Sequence, residues 1–438
     1  MKTKIKTALA IITACLLQTI QANNYVWIHG LTDNETCWTV YQQAFTASNG
    51  LRVGYSSEQS ISQAATRTWN NTNAEQTGPD DRKFNHDTEP SYILSNKNDM
   101  ILIGHSMGGL VARDLQYQFG NERGDNNAPR IKGIITLGTP HEGAGIENSI
   151  NNGRLSSLIT SLSQKLIVSS AYSLAVALPF APKWFFLGGS TTQALTWLGV
   201  NSYLIWFSDL GKKDCEKDMQ VNSPYQRTIA SRKVTVPILC LAAEEDRWAL
   251  ARLWSSTSSV KNSMKEDKNI NLDGKYDMKG IDRLNTLLYA SYSFAAIHAG
   301  YAISYGLGWW NPYSLAMAGV HVGGAFNWLY LANYVNNGLD FDHASLIGAT
   351  HVDRILTQHK VWFAKWTTVS YITVPEPHDG VVPVKSQYMA TYKGTDVIIP
   401  SATIKGANHC EEYNHPNTNI VFKQEIISGG YRPKVFMN

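Results

Sequence analysis

Apolar runs of strand length recur along the chain, separated by helix-period stretches and by turns rich in Gly, Pro, Asn and Asp. The runs are Asn24-Tyr25-Val26-Trp27-Ile28, Met100-Ile101-Leu102-Ile103, residues 130–137 with Ile131, Ile134, Ile135 and Leu137, and residues 234–241. Residues 51–55 add an edge strand, the β-branched stretch 367–374 the penultimate strand, and residues 396–399 the last core strand. Short apolar runs bounded by turn residues read as buried strands. Residues 38–45 and Leu110-Val111-Ala112-Arg113-Asp114-Leu115 read as helices, and the polar stretch 56–99 as helix plus loop. Strand, helix and strand at short spacing predict an α/β fold, a mostly parallel sheet flanked by helices.

Two apolar insertions, at about 150–215 and 247–365, interrupt that alternation within a domain spanning 23–438. The first is aromatic, with Trp184-Phe185-Phe186 and Leu204-Ile205-Trp206-Phe207. The second holds no Asp, Glu, Lys or Arg between Arg283 and Asp340. Its frequent Gly, Asn and Ser, and its lack of a clean apolar stretch of ~20 residues, speak against a transmembrane hairpin. The insertions are expected either as helices packed on each other and on the sheet, or as caps. A cap would line an acyl pocket with its inner face or touch a lipid surface with its outer one.

Residues 1–22 stand apart from this core. Lys2, Lys4 and Lys6 precede an apolar stretch that ends at Ala22, the pattern of a secretory signal peptide. A rival reading takes Ile12-Thr13-Ala14-Cys15 as a lipoprotein box with Cys15 lipidated. Either way the chain is expected to be exported. Losing three lysines and no acid takes the formal net charge from +3 to neutral, which offers no footprint for nucleic acid. Cys37, Cys215, Cys240 and Cys410 remain, an even number that permits two disulfides, although Cys240 lies within an apolar strand and also suits a buried thiol.

The strand at 100–103 runs into Gly104-His105-Ser106-Met107-Gly108-Gly109 and then a helix. A Gly-x-Ser-x-Gly turn between strand and helix holds its serine in a strained, exposed conformation that neighbouring Cβ atoms would obstruct. Ser106 is therefore the candidate nucleophile. Its hydroxyl needs an adjacent imidazole to take the proton, and the imidazole needs a carboxylate to fix its tautomer. His409, in a small-residue loop just past the last strand, is the expected base, with His415 as the rival. Asp379, flanked by Gly380 after the strand-like 367–374, is the expected acid, and Glu244, Glu245 and Asp246 compete for that role one strand earlier. The His29-Gly30 turn after the first strand places the Leu31 N–H beside that of Met107 as oxyanion donors.

Ile28-His29-Gly30, Gly104 to Gly109, Leu137-Gly138-Thr139-Pro140-His141, Asp379-Gly380-Val381-Val382 and Asn408-His409 together resemble the α/β-hydrolase lipases and esterases. The nearest branches are the bacterial secreted triacylglycerol lipases and their GPI inositol-deacylase-like relatives. The resemblance implies that Asp379 carries the triad acid and His409 the base, and it covers the sheet segments but neither insertion. It also implies a possible structural calcium, with Glu411 at the acidic position two residues past the base, but no partner ligand is identifiable and no cofactor is required. Asp340, Asp342, His343, His351 and Asp353 form a second group of metal-ligand types, which more often cap helices than bind metal. The expectation is an exported serine esterase or lipase acting on lipid-like esters through an acyl-enzyme. Acyl transfer or thioester cleavage by the same triad, or a non-catalytic lipid-binding protein with a relic elbow, are the alternatives.

Overall fold

The computed structural model describes residues 24–31, 35–38, 41–42, 50–56, 59–70, 94–122, 129–154, 157–158, 160–161, 164–165, 213–245, 249, 279–361, 364–390, 398–400, 403–410 and 412–424. The leader reading of 1–22, most of the first insertion, Asp246 and Glu411 lie outside these residues.

The elements in chain order are β1 (Asn24–Ile28), β2 (Gly50–Val53), α1 (Ile61–Asn70), β3 (Met100–His105), α2 (Met107–Phe119), β4 (Ile131–Leu137) and α3 (Gly145–Asn151). There follow α4 (Asp214–Met219), α5 (Pro224–Ser231), β5 (Ile238–Leu241) and β6 (Ala243–Glu244). After the second insertion's α6 (Lys279–Gly306), α7 (Pro312–Asn333) and α8 (Leu339–Leu346) come β7 (Thr350–Val361), β8 (Ala364–Pro375), α9 (Val384–Gln387), β9 (Ile398–Pro400), β10 (Ile404–Lys405) and α10 (Pro416–Phe422).

Six strands form one sheet in the order β2-β1-β3-β4-β5-β9, with every neighbouring pair parallel. Successive residues of a strand face opposite sides, and the apolar runs use both. Val26, Ile28, Leu102, Ile134 and Ile238 pack against α1 and α2 on one side. Tyr25, Trp27, Ile101, Ile103 and Leu239 pack against Trp38, Tyr41 and Phe422 on the other. Burial on both faces explains why these strands read as continuous apolar runs rather than as alternating ones. This is the α/β-hydrolase fold expected from the sequence. Cys37, Cys215 and Cys240 lie in these two cores, and burial pushes the Cys240 thiol up to about 12.

One expectation is corrected, and one open alternative is narrowed. The stretch 367–374 is not a strand of the main sheet. It belongs to β8, which pairs only with β7 as an antiparallel ribbon, in register from Thr350↔Pro375 to Val361↔Ala364. Polar and apolar side chains are mixed on both faces of the ribbon, and both faces are exposed, a pattern unsuited to a strand covered on each side. Asp379 therefore follows an excursion from β5 and β6, not the penultimate sheet strand. The chain returns to the sheet where the Glu245 N–H donates to the His378 carbonyl at 2.8 Å. Of the two readings of the second insertion, packing on the sheet does not hold for its described helices α6 and α7. Its α6–α7 hairpin buries its root (Leu284, Leu287, Leu331) in a third core shared with Val381 and Val382, while residues 299–320 contain no buried position.

Close contacts at the turn after β3 fix the layer spacing. A Cβ on Gly104 would lie 2.4 Å from the Gly108 carbonyl carbon, and one on Gly319 would meet nothing within 4 Å. Gly104→Ala is expected to lose at least ~2 kcal/mol of stability by overpacking against backbone. Gly319→Ala, at an open helix position, should be neutral or gain up to ~1 kcal/mol. Denaturant midpoints of the two variants check this, and equal midpoints would contradict it.

Candidate active site

Ser106 joins β3 to α2 with φ 53° and ψ −127°, a conformation that a non-glycine residue adopts only when its surroundings over-determine it. The surroundings do so here. The Ser106 N–H donates to the Leu137 carbonyl at 2.9 Å, tying the turn to the end of β4. A Cβ on Gly108 would stand 2.4 Å from the His29 carbonyl oxygen, and one on Gly109 would stand 2.0 Å from Thr139 Oγ1. Gly109 thus makes room for the loop after β4 rather than for the sheet itself. A Cβ on Gly30 would come within 3.0 Å of Ser106 Cβ, so the His29-Gly30 turn abuts the serine.

Ser106 Oγ lies 2.8 Å from His409 Nε2, and His409 Nδ1 lies 2.8 Å from Asp379 Oδ2. The three residues that sequence reasoning selected from distant loops form one hydrogen-bonded chain. With Nδ1–H donating to Asp379, Nε2 is left to accept from the serine hydroxyl. Asp379 is held from several directions. Gly380 (φ 94°) reverses the chain so that the Val381 and Val382 N–H groups donate to Oδ1 at 2.8 and 2.7 Å. The Gln387 amide donates to Oδ2 at 3.1 Å, and the same side chain bridges to both the N–H and the carbonyl of Ala243. The backbone of His409 also donates to the Asp379 carbonyl at 2.8 Å.

The rivals occupy other roles. His415 caps α10, its Nδ1 accepting from the Asn417 N–H at 3.2 Å. Glu244 pairs with Lys405, and Glu245 is buried with its N–H on the Asp379 loop. His141 of the Thr-Pro-His turn lies between Arg113 and Thr136, at 3.2 and 3.0 Å. Burial first, and then the Arg113 charge, keep it neutral. The group Asp340, Asp342, His343, His351 and Asp353 does not converge. His343 is buried against His378, Asp342 accepts from the Tyr334 hydroxyl, and His351 lies between Asp353 and Glu376.

Glu412, which no motif singled out, is fully buried beneath the site, in the helical turn that follows the His409 loop. Its carboxylate lies 3.3 Å from His105 Nε2 and 3.7 Å from His409 Nδ1. Gly138 (φ 57°) leaves the space it fills, since a Cβ there would lie 1.9 Å from Glu412 Oε2. His105, Glu412 and His409 are the one set of three metal-ligand types gathered within 4.8 Å among the described residues. The imidazole in that set is already committed to Ser106 and Asp379. The usable signal in the sequence was His105, a second imidazole next to the serine that calls for a buried counter-charge.

Burial is the largest single influence on all three ionisable groups, but it sets the direction only at Asp379. It raises Asp379, whose attraction to the His409 charge opposes that rise. For His409 burial favours the neutral ring, but the Asp379 carboxylate, with Glu412 adding, outweighs it and lifts the imidazole to about 10. For Glu412 burial again favours the neutral acid, but His105 and His409 hold it at about 2.

Residues 91–175 match the PGAP1-like alpha/beta domain family, a span that contains β3, the serine turn, α2 and β4. Among solved structures, the Bacillus licheniformis lipase BlEst2 in mature form is similar at 12% identity and TM-score 0.30, covering 56% of this chain and 74% of that one. Phospholipase PlaB from Legionella pneumophila is similar at 12% identity and TM-score 0.28, covering 52% and 40%. An extracellular alpha/beta-hydrolase from a Paenibacillus species is similar at 15% identity and TM-score 0.25, covering 50% and 77%. No curated protein matches.

A raised imidazole pKa keeps the ring protonated to higher pH, so Nε2 becomes free to act as a base only as pH rises toward that value. The His409 ring resonances are therefore expected to titrate well above the ordinary 6.5, and Asp379→Asn should bring the midpoint down by more than ~1 unit. NMR of the ring protons reads this, and a native midpoint at or below 6.5 would contradict it.

Proposed function

We propose that the chain is an exported serine carboxylic-ester hydrolase acting on lipid-like esters through an acyl-enzyme. One observation carries the proposal. A serine in a strained turn, an imidazole and a buried carboxylate stand in line at 2.8 Å and 2.8 Å. A serine hydroxyl at neutral pH is a weak nucleophile, and this arrangement supplies what activates it.

Ser106 Oγ adds to the ester carbonyl carbon while His409 Nε2 takes its proton. Asp379 keeps the Nδ1–H side of the ring fixed and balances the imidazolium. The Met107 N–H opens α2, where the first N–H groups of a helix have no intrahelical partner. With the Leu31 N–H it is the proposed donor pair for the oxyanion. When the intermediate collapses, His409 returns the proton to the departing alcohol. Water then attacks the acyl-enzyme by the same route and releases the acid. The side chains and N–H groups named here carry each step, and no cofactor is required.

The apolar surroundings support a lipid-like substrate. Val381 and Val382, next to the Asp379 carboxylate, pack into the same core as the hairpin root. Export rests on residues 1–22.

On p-nitrophenyl esters from acetate to palmitate, turnover is expected to rise toward long acyl chains. Ser106→Ala should lower kcat by ~10⁴-fold or more and Asp379→Asn by ~10⁴-fold. Folded protein with no turnover on any ester, or turnover that survives Ser106→Ala, would overturn the proposal.

A further inference from the structure

The α6–α7 hairpin presents apolar side chains outward along its length. Tyr289, Ile303, Trp309, Trp310 and Phe326 are each about 70% exposed, and Tyr313 is 65% exposed. No charged residue occurs between Arg283 and Asp340. A helix apolar on one face is covered by packing against a protein surface. One that is apolar all round requires a surrounding apolar medium.

From these observations we propose that the α6–α7 hairpin is embedded in a lipid bilayer, entering and leaving on the same side. The arrangement of its side chains matches the layers of a membrane. Trp309, Trp310 and Tyr313 cluster at the turn, and Tyr289, Tyr292 and Tyr330 ring the root. Trp309 lies seventeen positions after Tyr292, and Tyr330 seventeen positions after Tyr313. At ~1.5 Å per residue this is ~26 Å on each helix, close to the ~30 Å hydrocarbon core between interfacial aromatic belts. The continuous helix Pro312–Leu346 is itself long and apolar enough to cross.

Several of the polar residues of the hairpin bond within it, as hydrocarbon requires. Ser291 and Ser293 donate to the carbonyls of Leu287 and Tyr289 at 2.7 and 2.9 Å, and Asn327 donates to Gly323 at 2.8 Å. His298 and His321 bond each other across the hairpin at 3.1 Å. Gly324 permits that approach, since a Cβ there would lie 2.4 Å from the His298 ring. Charge returns only at the root, where Lys165 sits 4.2 Å over the Tyr334 ring and the Tyr334 hydroxyl donates to Asp342. The inference does not depend on the hydrolase reading, because none of these residues belongs to the triad.

The test is flotation of the full-length protein with phosphatidylcholine vesicles, followed by washing in high salt and in alkaline carbonate. Wild type is expected to stay with the vesicles through both washes. Val322→Asp/Phe326→Asp, which alters two outward-facing positions, should lower the bound fraction at least ~tenfold. Ile420→Asp, at an exposed apolar position on α10, should leave binding unchanged and serves as the control. Wild type that fails to float, or is released by salt, would overturn the inference. So would a double variant that binds as wild type does, or a wild-type dimer, unaffected by vesicles, that the double variant dissociates. The last result would assign the surface to a second copy of the chain. Circular dichroism of the double variant confirms that it is folded. Ester turnover measured in parallel without vesicles reports on the triad separately.

Discussion

The site depends on one backbone contact, the approach of α2 to the ends of β1, β3 and β4 at a distance that admits no Cβ. Gly104, Gly108 and Gly109 each face carbonyl, backbone or threonine atoms closer than any side chain could stand. That contact imposes the positive φ of Ser106 and lifts its hydroxyl out of the sheet. The strain is of order 1–3 kcal/mol, and the sheet and helix cores on either side offset it. The same contact draws in the neighbouring loops. The His29-Gly30 turn lies against Ser106, and the Thr139 loop lies against Gly109.

Around this turn the structure handles buried charge by close pairing. Three titratable groups, Asp379, His409 and Glu412, are buried within hydrogen-bond or near-contact range of one another. An isolated buried carboxylate is costly, so each acid must find donors. Asp379 finds two backbone N–H groups, Gln387 and His409. Glu412 faces two imidazoles. Two acids on one side of the base explain why its proton affinity rises in spite of burial. They also set the orientation that presents Nε2 to the serine.

The parts legible in the sequence were those with local signatures. A strand buried on both faces leaves an apolar run, and a tight turn leaves glycines. An acid or base on a short loop leaves Asp-Gly or Asn-His. Ser106, Asp379 and His409 were found in this way, as was the sheet. Parts set by tertiary partners were not legible. Residues 367–374 carry strand propensity, but nothing local says that their partner is β7 rather than β5. Glu412 carries no motif, and only the fold shows that it turns inward. Gln387 fixes Asp379 from eight residues away through a short helix that has no motif. The charge-free stretch 284–339 was visible, but its geometry required knowing that its polar groups bond within the hairpin.

The central claim is that Ser106 is a nucleophile activated by His409, and covalent labelling tests it most directly. Treatment with a fluorophosphonate, followed by intact-mass analysis and peptide mapping, should give one adduct per chain, located on Ser106. His409→Ala should slow labelling by several orders of magnitude, and Ser106→Ala should abolish it. Unlabelled but folded protein, or an adduct on another residue that persists in Ser106→Ala, would contradict the account.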